Sequence, residues 1–334
     1  MGALIVSMIL FGLFLLAIGQ NPIEVYQSIY KGAFGSWFSW QNSLQRASPL
    51  MLVALCTALP ARLGMIVIGG EGALVIGAVA TVAAAVALEG APSAAVTTLM
   101  LLAGAVAGGL WIGFVGGLRH YRGVNETISS LLLNYIAIAI MSHLVLGLIR
   151  DPAVLHRPSS WHVGEDNMLG LIPGMDVHWG LIIGAVVCLV TFLLVRWTTV
   201  GFAGDIIGGN PRAARMAGIA VGPLIVTTCF LGGAAAGLAG AIEIAAVQGR
   251  ASSSIVVGYG YTGILIAFIA RQNPLAVIPV AILLGGIRAS GGLLQRWHDL
   301  PDATVLVMQG IIFVVILASE TLYGRATLFQ PRKA

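Results

Sequence analysis

The stretch "MIVIGGEGALVIGAVATVAAAVAL", residues 65–88, decides the class of fold. About 20 apolar residues suffice for a helix to cross the hydrocarbon core of a bilayer, and this run exceeds that with a single charge, Glu71. Apolar and polar residues do not alternate along it, as they would in a barrel strand. Its glycines and alanines are the small residues that let membrane helices approach closely.

Working outward, similar runs fill the chain. It has 334 residues, 58% hydrophobic and 9% charged, against roughly 25% charged in soluble domains. Apolar spans read at 3–19, 47–61, 65–88, 93–118, 127–149, 179–195, 223–247, 255–270, 274–292 and 303–320. The expectation is an all-α, polytopic membrane protein of about ten transmembrane helices, one transmembrane domain over 1–334, in a bacterial inner membrane. The first span follows no basic n-region, so it reads as retained rather than as a signal peptide. The semi-polar stretch 20–46, rich in Tyr and Trp, suits a membrane interface.

The net charge of +4 is dispersed, without a cluster suited to nucleic acid. With both termini inside, Arg62, Arg119, Arg122, Arg196, Arg212, Arg215, Arg271, Arg325, Arg332 and Lys333 fall on the inner side, and Lys31, Arg46, Arg150, Arg157, Arg250, Arg288 and Arg296 on the outer. That modest bias follows the positive-inside rule. The long loop 150–178 then faces outward, with Ser160 expected to be accessible there. Cys56, Cys188 and Cys229 lie inside apolar runs and imply neither disulfide nor metal. The histidines His120, His143, His156, His162, His178 and His298 show no metal-ligand spacing. No Gly-rich loop ends in Lys-Ser or Lys-Thr, so the chain carries no P-loop. No catalytic residues and no metal site are expected.

Two pairs of segments hint at an internal repeat. "IVIGGEGALVIGAVA" (66–80) aligns with "IVVGYGYTGILIAFIA" (255–270) with one insertion, and "ISSLLLNYIA" (128–137) with "ATVLVMQGII" (303–312). In the expected topology the paired segments run in opposite directions, an inverted repeat of the transporter kind. The repeat sets Asn134 against Gln309. These amides line a solute path or bond a neighbouring helix, since inside a membrane they must find partners. Glu71 is a pathway or helix-break residue, or a carboxylate satisfied by backbone N–H groups. Tyr259 and Tyr261 stack on a planar ligand or anchor an interface. Glu243 falls near one end of its span.

Between two apolar spans the chain turns polar at "GGNPRAARMAG", residues 208–218. Asn210 suits an N-cap, Pro211 the first turn and Gly218 the stop. Ala213, Ala214, Arg215 and Met216 favour helix. The expected product is a two-turn basic knob outside the bilayer, within the segment 197–222.

This stretch, extended to Ile219, closely resembles the cytoplasmic coupling segment of ATP-binding-cassette importer permeases of the branched-chain amino acid, simple sugar and nucleoside superfamily. Their pattern Gly-x-Asn-x-x-Ala-Ala-x-x-x-Gly-Ile is matched by Gly208, Asn210, Ala213, Ala214, Gly218 and Ile219. "IGGEGALVIGA" is similar to the family's Asn-Ile-Gly-x-Glu-Gly-Gln stretch, with Val67 and Ala73 replacing the polar residues. "VNETISSLLLNYIA" (124–137) resembles a run of the nucleoside branch. The likeness extends from about Pro49 to Gln309. It implies a permease subunit for nucleosides or related small polar solutes, with no cofactor in this chain. It also implies a second permease subunit, an extracytoplasmic solute-binding protein, and a cytoplasmic ATPase that holds ATP and Mg. Arg212, with the rest of 208–218, would then contact the ATPase. A sugar or branched-chain amino acid permease is the alternative within the family. A secondary transporter and a membrane enzyme are the alternatives outside it.

Overall fold

The computed structural model describes residues 2–154 and 157–325; His156, Arg332 and Lys333 lie outside the described residues. The described chain is almost wholly helical, in fourteen α-helices. It divides into two compact units, Leu44–Ile282 and Met1–Ser43 with Leu283–Ala334.

The larger unit is built on α4 (Gly70–Ala87), α5 (Ser93–Arg122) and α10 (Val221–Glu243). Glycines set their spacing. A Cβ on Gly237 would lie 2.2 Å from the Gly104 carbonyl, and one on Gly77 2.4 Å from the Gly237 carbonyl. A Cβ on Gly108 would lie 2.6 Å from the Gly233 carbonyl. The three backbones therefore touch where side chains would normally intervene, the small-residue packing available to helices in lipid. At roughly 1.5 Å per residue α5 is about 45 Å long. Its last turn carries Arg119, His120 and Arg122, and Gly123 ends it at φ 68°.

Around this centre stand α3 (Trp37–Ala61), which also reaches into the smaller unit, α6 (Glu126–Leu146) and α7 (Gly180–Trp197). After α7 the chain makes α8 (Thr199–Gly209) and the short α9 (Pro211–Met216) before α10. A π-helical turn at Ile244–Gln248 closes α10, and α11 (Tyr259–Ile269) follows. The described residues of the loop 150–178 are held by backbone bonds to the segment just after α10. Leu169 N donates to Ala245 O at 2.7 Å, Val163 N to Gly249 O at 3.0 Å, and Ser160 N to Ala251 O at 2.9 Å. Arg250 donates to Asp151 at 2.7 Å. Ser160 is consequently buried, and its hydroxyl accepts from Ala251 N, contrary to the exposure expected of it.

In the smaller unit α1 (Gly2–Ala17) meets α2 (Pro22–Phe34) at 117°, so the pair forms one broken or re-entrant span. Asn21 begins α2 by accepting from Ile23 N at 3.1 Å. The Tyr26 hydroxyl donates back to the Met8 carbonyl. The interfacial stretch 20–46 is thus helical in α2 and the start of α3. The unit is completed by the end of α12 (Pro274–Ala289), by α13 (Gly291–His298) and by α14 (Ala303–Arg325). Ser28 Oγ lies 2.8 Å from His298 Nε2.

Seven described helices are long and apolar enough to span a bilayer, or eight when α1 with α2 counts as one. The apolar segments Ser253–Ile269 and Ala303–Ser319 are shorter. The expected count of about ten is therefore not matched helix for helix. Breaks in the backbone shorten segments that a hydropathy reading treats as uniform.

Candidate functional site

The decisive break falls inside the opening stretch. Residues 65–69 are not helical, and α4 starts only at Gly70. Side chains of α6 hold the preceding residues open. Thr127 Oγ1 donates to Ile66 O at 2.8 Å, Ser130 Oγ accepts from Ile68 N at 3.0 Å, and Asn134 Nδ2 donates to Ile68 O at 2.9 Å. Asn134 Oδ1 also accepts from Gly72 N at 2.8 Å. These bonds replace the helical ones that backbone inside a membrane would otherwise lack. The start of α4 accordingly lies beside the middle of α6, well inside the bundle.

The start of α11 meets it there. Glu71, fully buried in the first turn of α4, accepts from Gly258 N at 2.9 Å and from Gly260 N. A carboxylate is favoured at a helix N-terminus, where N–H groups lack partners and the dipole is positive. Glu71 stands at two such termini together. Gly258 takes φ 80°, open to glycine at no steric cost. A Cβ on Gly260 would sit 2.3 Å from Glu71 N. The two helices then leave in opposite directions. α4 ends near Trp161 and His162, whereas α11 ends at Arg271 beside Arg62, at the far end of the bundle.

Glu71, Asn134 and Tyr261 are thereby brought together. Tyr261 is exposed next to the Asn134 amide, with Tyr135 close by. Tyr259, by contrast, is buried at 6% exposure. Gln309 is buried on α14, in the other compact unit. Glu243 is also buried, with Gln248 Nε2 at 3.4 Å. Val67 and Ala73, where the motif expects polar residues, are fully buried.

Gly258, Gly260, Ser130, Thr127 and Tyr135 escaped the sequence reading. One signal pointed to the first two: the repeat alignment pairs Gly69 with Gly258, and these residues are the N-caps of α4 and α11.

The basic segment forms α9 as read. Asn210 Oδ1 accepts from Arg212 N at 3.0 Å and Ala213 N at 3.2 Å, Pro211 occupies the first turn, and Gly218 turns away at φ 79°. Ala214 is buried beneath the helix; Arg212 and Arg215 are exposed, and Met216 is 85% exposed. Sequence did not announce α8, which keys α9 to the bundle. A Cβ on Gly208 would lie 2.1 Å from the Arg62 carbonyl, at the end of α3. Arg62 clasps Asp205 of α8 through both carboxylate oxygens, at 2.8 and 3.0 Å. The helix α8, which leads directly into α9, is thus fixed to the end of α3 by backbone contact and an ion pair.

Broken helices whose starts meet inside an apolar bundle define a class, the multi-pass membrane transport proteins. The chain belongs to the family described as branched-chain amino acid transport system / permease component, whose model matches residues 39–317. A glucose ABC transporter permease protein of Haloferax volcanii is 32% identical over 92% of this chain and 84% of its own length. A guanosine ABC transporter permease protein of Bacillus subtilis is 27% identical over 95% of this chain and 92% of its own. A nucleoside ABC transporter permease protein of Lactococcus lactis is 25% identical, covering 94% and 88% respectively.

Proposed function

We propose that this ABC transporter permease imports nucleosides or related small polar solutes by alternating access, driven by a separate ATPase that seats α9. The observation that carries the solute class is the uncharged set at the meeting of α4 and α11: the exposed Tyr261 beside the Asn134 amide and Tyr135. Aromatic faces suit a planar base, and the exposed phenol hydroxyls of Tyr261 and Tyr135 can donate and accept without a free charge. Two of the relatives named above, from B. subtilis and L. lactis, are guanosine and nucleoside permeases. The glucose permease relative favours a second reading, a simple sugar, because aromatic rings also stack on sugar faces.

On this reading ATP is hydrolysed by the partner, and the permease's own chemistry is confined to hydrogen bonding and packing. A second permease subunit and an extracytoplasmic binding protein complete the assembly. Closure of the ATPase moves α9, and the Gly208–Arg62 contact carries the movement to α3, against which the starts of α4 and α11 are packed. The test is uptake by cells producing the chain with its ATPase, partner permease and binding protein. Radiolabelled guanosine should accumulate, and a hundredfold excess of glucose should not compete. Accumulation of glucose with no nucleoside uptake overturns the assignment in favour of the sugar reading.

A further inference from the structure

A cavity of about 570 Å³ opens at the Arg62 end of the larger unit, where α3, α7 and α11 finish and α12 begins. Arg62, Arg196, Arg271, Gln272 and Asp205 line it, with Phe192 on its apolar side. Asp205 is engaged by Arg62 at 2.8 Å. Among the described residues neither Arg196 nor Arg271 forms an ion pair. Three guanidiniums against one carboxylate leave the lining at a net charge of +2.

The backbone that presents two of these side chains is strained. Arg271 and Gln272 are consecutive non-glycine residues at φ 49° and 59°, a region few such residues occupy. Arg271 N donates to Phe268 O at 3.0 Å, Gln272 N to Ala267 O at 2.9 Å, and Asn273 caps α12 through Leu275 N at 3.1 Å. Glycine would relax this turn, yet the turn carries a guanidinium and an amide into the cavity. Strain retained in this way marks functional positions. The cavity also lies where spans end, next to Trp197, which is 76% exposed, the kind of residue that marks the headgroup level of a membrane.

We propose that this cavity binds a phosphate group, carried by a phospholipid headgroup or by a soluble phosphoester. Planar guanidiniums grip phosphate oxygens in pairs, Gln272 adds a neutral donor, and the volume falls in the range of small-ligand sites. Basic pockets between membrane helices take anionic headgroups for the same reasons. Occupancy joins the ends of α7 and α11 through one shared anion. The site is independent of the solute assigned to the transporter.

The test is native mass spectrometry of the full chain in detergent with equimolar phosphatidic acid and phosphatidylcholine. The wild type should retain phosphatidic acid about tenfold over phosphatidylcholine, equivalent to about 1.4 kcal/mol. The Arg196→Gln/Arg271→Gln pair should lose the preference, and Arg122→Gln, an exposed arginine outside the cavity, should keep it. Displacement by millimolar glycerol 3-phosphate identifies a soluble phosphoester as the ligand; retention of the lipid identifies a headgroup. Equal retention of the two lipids by the wild type overturns the proposal, as does an unchanged preference in the double variant. Should the double variant fail to fold, the wild-type comparison and Arg196→Gln, at an exposed helix end, decide it.

Discussion

Asn134 shows how much one side chain can hold open. Its amide accepts from Gly72 N and donates to Ile68 O, on either side of the point where α4 begins. Asn134→Leu strands both groups in an apolar interior, at about 1–3 kcal/mol for each unsatisfied group. The expected outcome is a lower unfolding temperature in detergent together with slower transport per inserted molecule. Wild-type thermal stability in the leucine variant would show that these bonds do not hold the break open. The sequence offered helix glue and pathway lining as alternatives for this residue. The geometry supplies the glue, and it does so by bonding an interrupted backbone rather than a second helix face.

Among elements, α9 was the most legible and the start of α4 the least. An N-cap, a first-turn proline and a terminal glycine are local signals, and they specify α9 without help from the rest of the fold. The break at 65–69 depends on Thr127, Ser130 and Asn134, some 60 residues away, so the hydropathy of the stretch could not reveal it. The membrane class was legible from composition alone, because few charges leave little that water can solvate. For α9 itself, Arg212→Glu with Arg215→Glu should abolish ATP-driven uptake and leave membrane insertion unchanged, since both side chains are exposed. Uptake measured alongside copurification of the ATPase checks this, and retained uptake removes α9 from the coupling role. At the entry to α7, burial holds the His178 imidazole below its ordinary pKa and outweighs the opposing carbonyl of Gln45. A histidine depressed in this way binds its proton more readily when unfolded, so its contribution is fully present above the ordinary value, about 6.5. Stability should fall as pH drops through that value. Thermal unfolding at pH 7.5 and 5.5 should show a loss that His178→Gln reduces; an equal loss in the variant assigns the acid sensitivity to other groups.

For the whole molecule, the expected orientation places the loop 150–178 outside and α9 in the cytoplasm. Ser160 is unsuited to reporting this, being buried against Ala251. Asp166, exposed in the short 3-10 turn Glu165–Asn167, is the better position. In a background without Cys56, Cys188 and Cys229, Asp166→Cys should react with a membrane-impermeant thiol reagent added to intact cells. Labelling confined to broken cells would invert the topology and move α9 to the other face.

The pairing of Glu71 with the start of α11 also bears on how the chain is made. Gly258 follows Glu71 by 187 residues. At roughly 5–20 residues per second, synthesis separates the two by about 10–40 s. Throughout that interval the two α11 amides from which the carboxylate accepts do not yet exist. Until α11 is delivered, only the first of the two helix starts is at hand. A nascent chain halted before Gly258 therefore holds this buried acid with the start of α4 alone, without the two amides that α11 contributes.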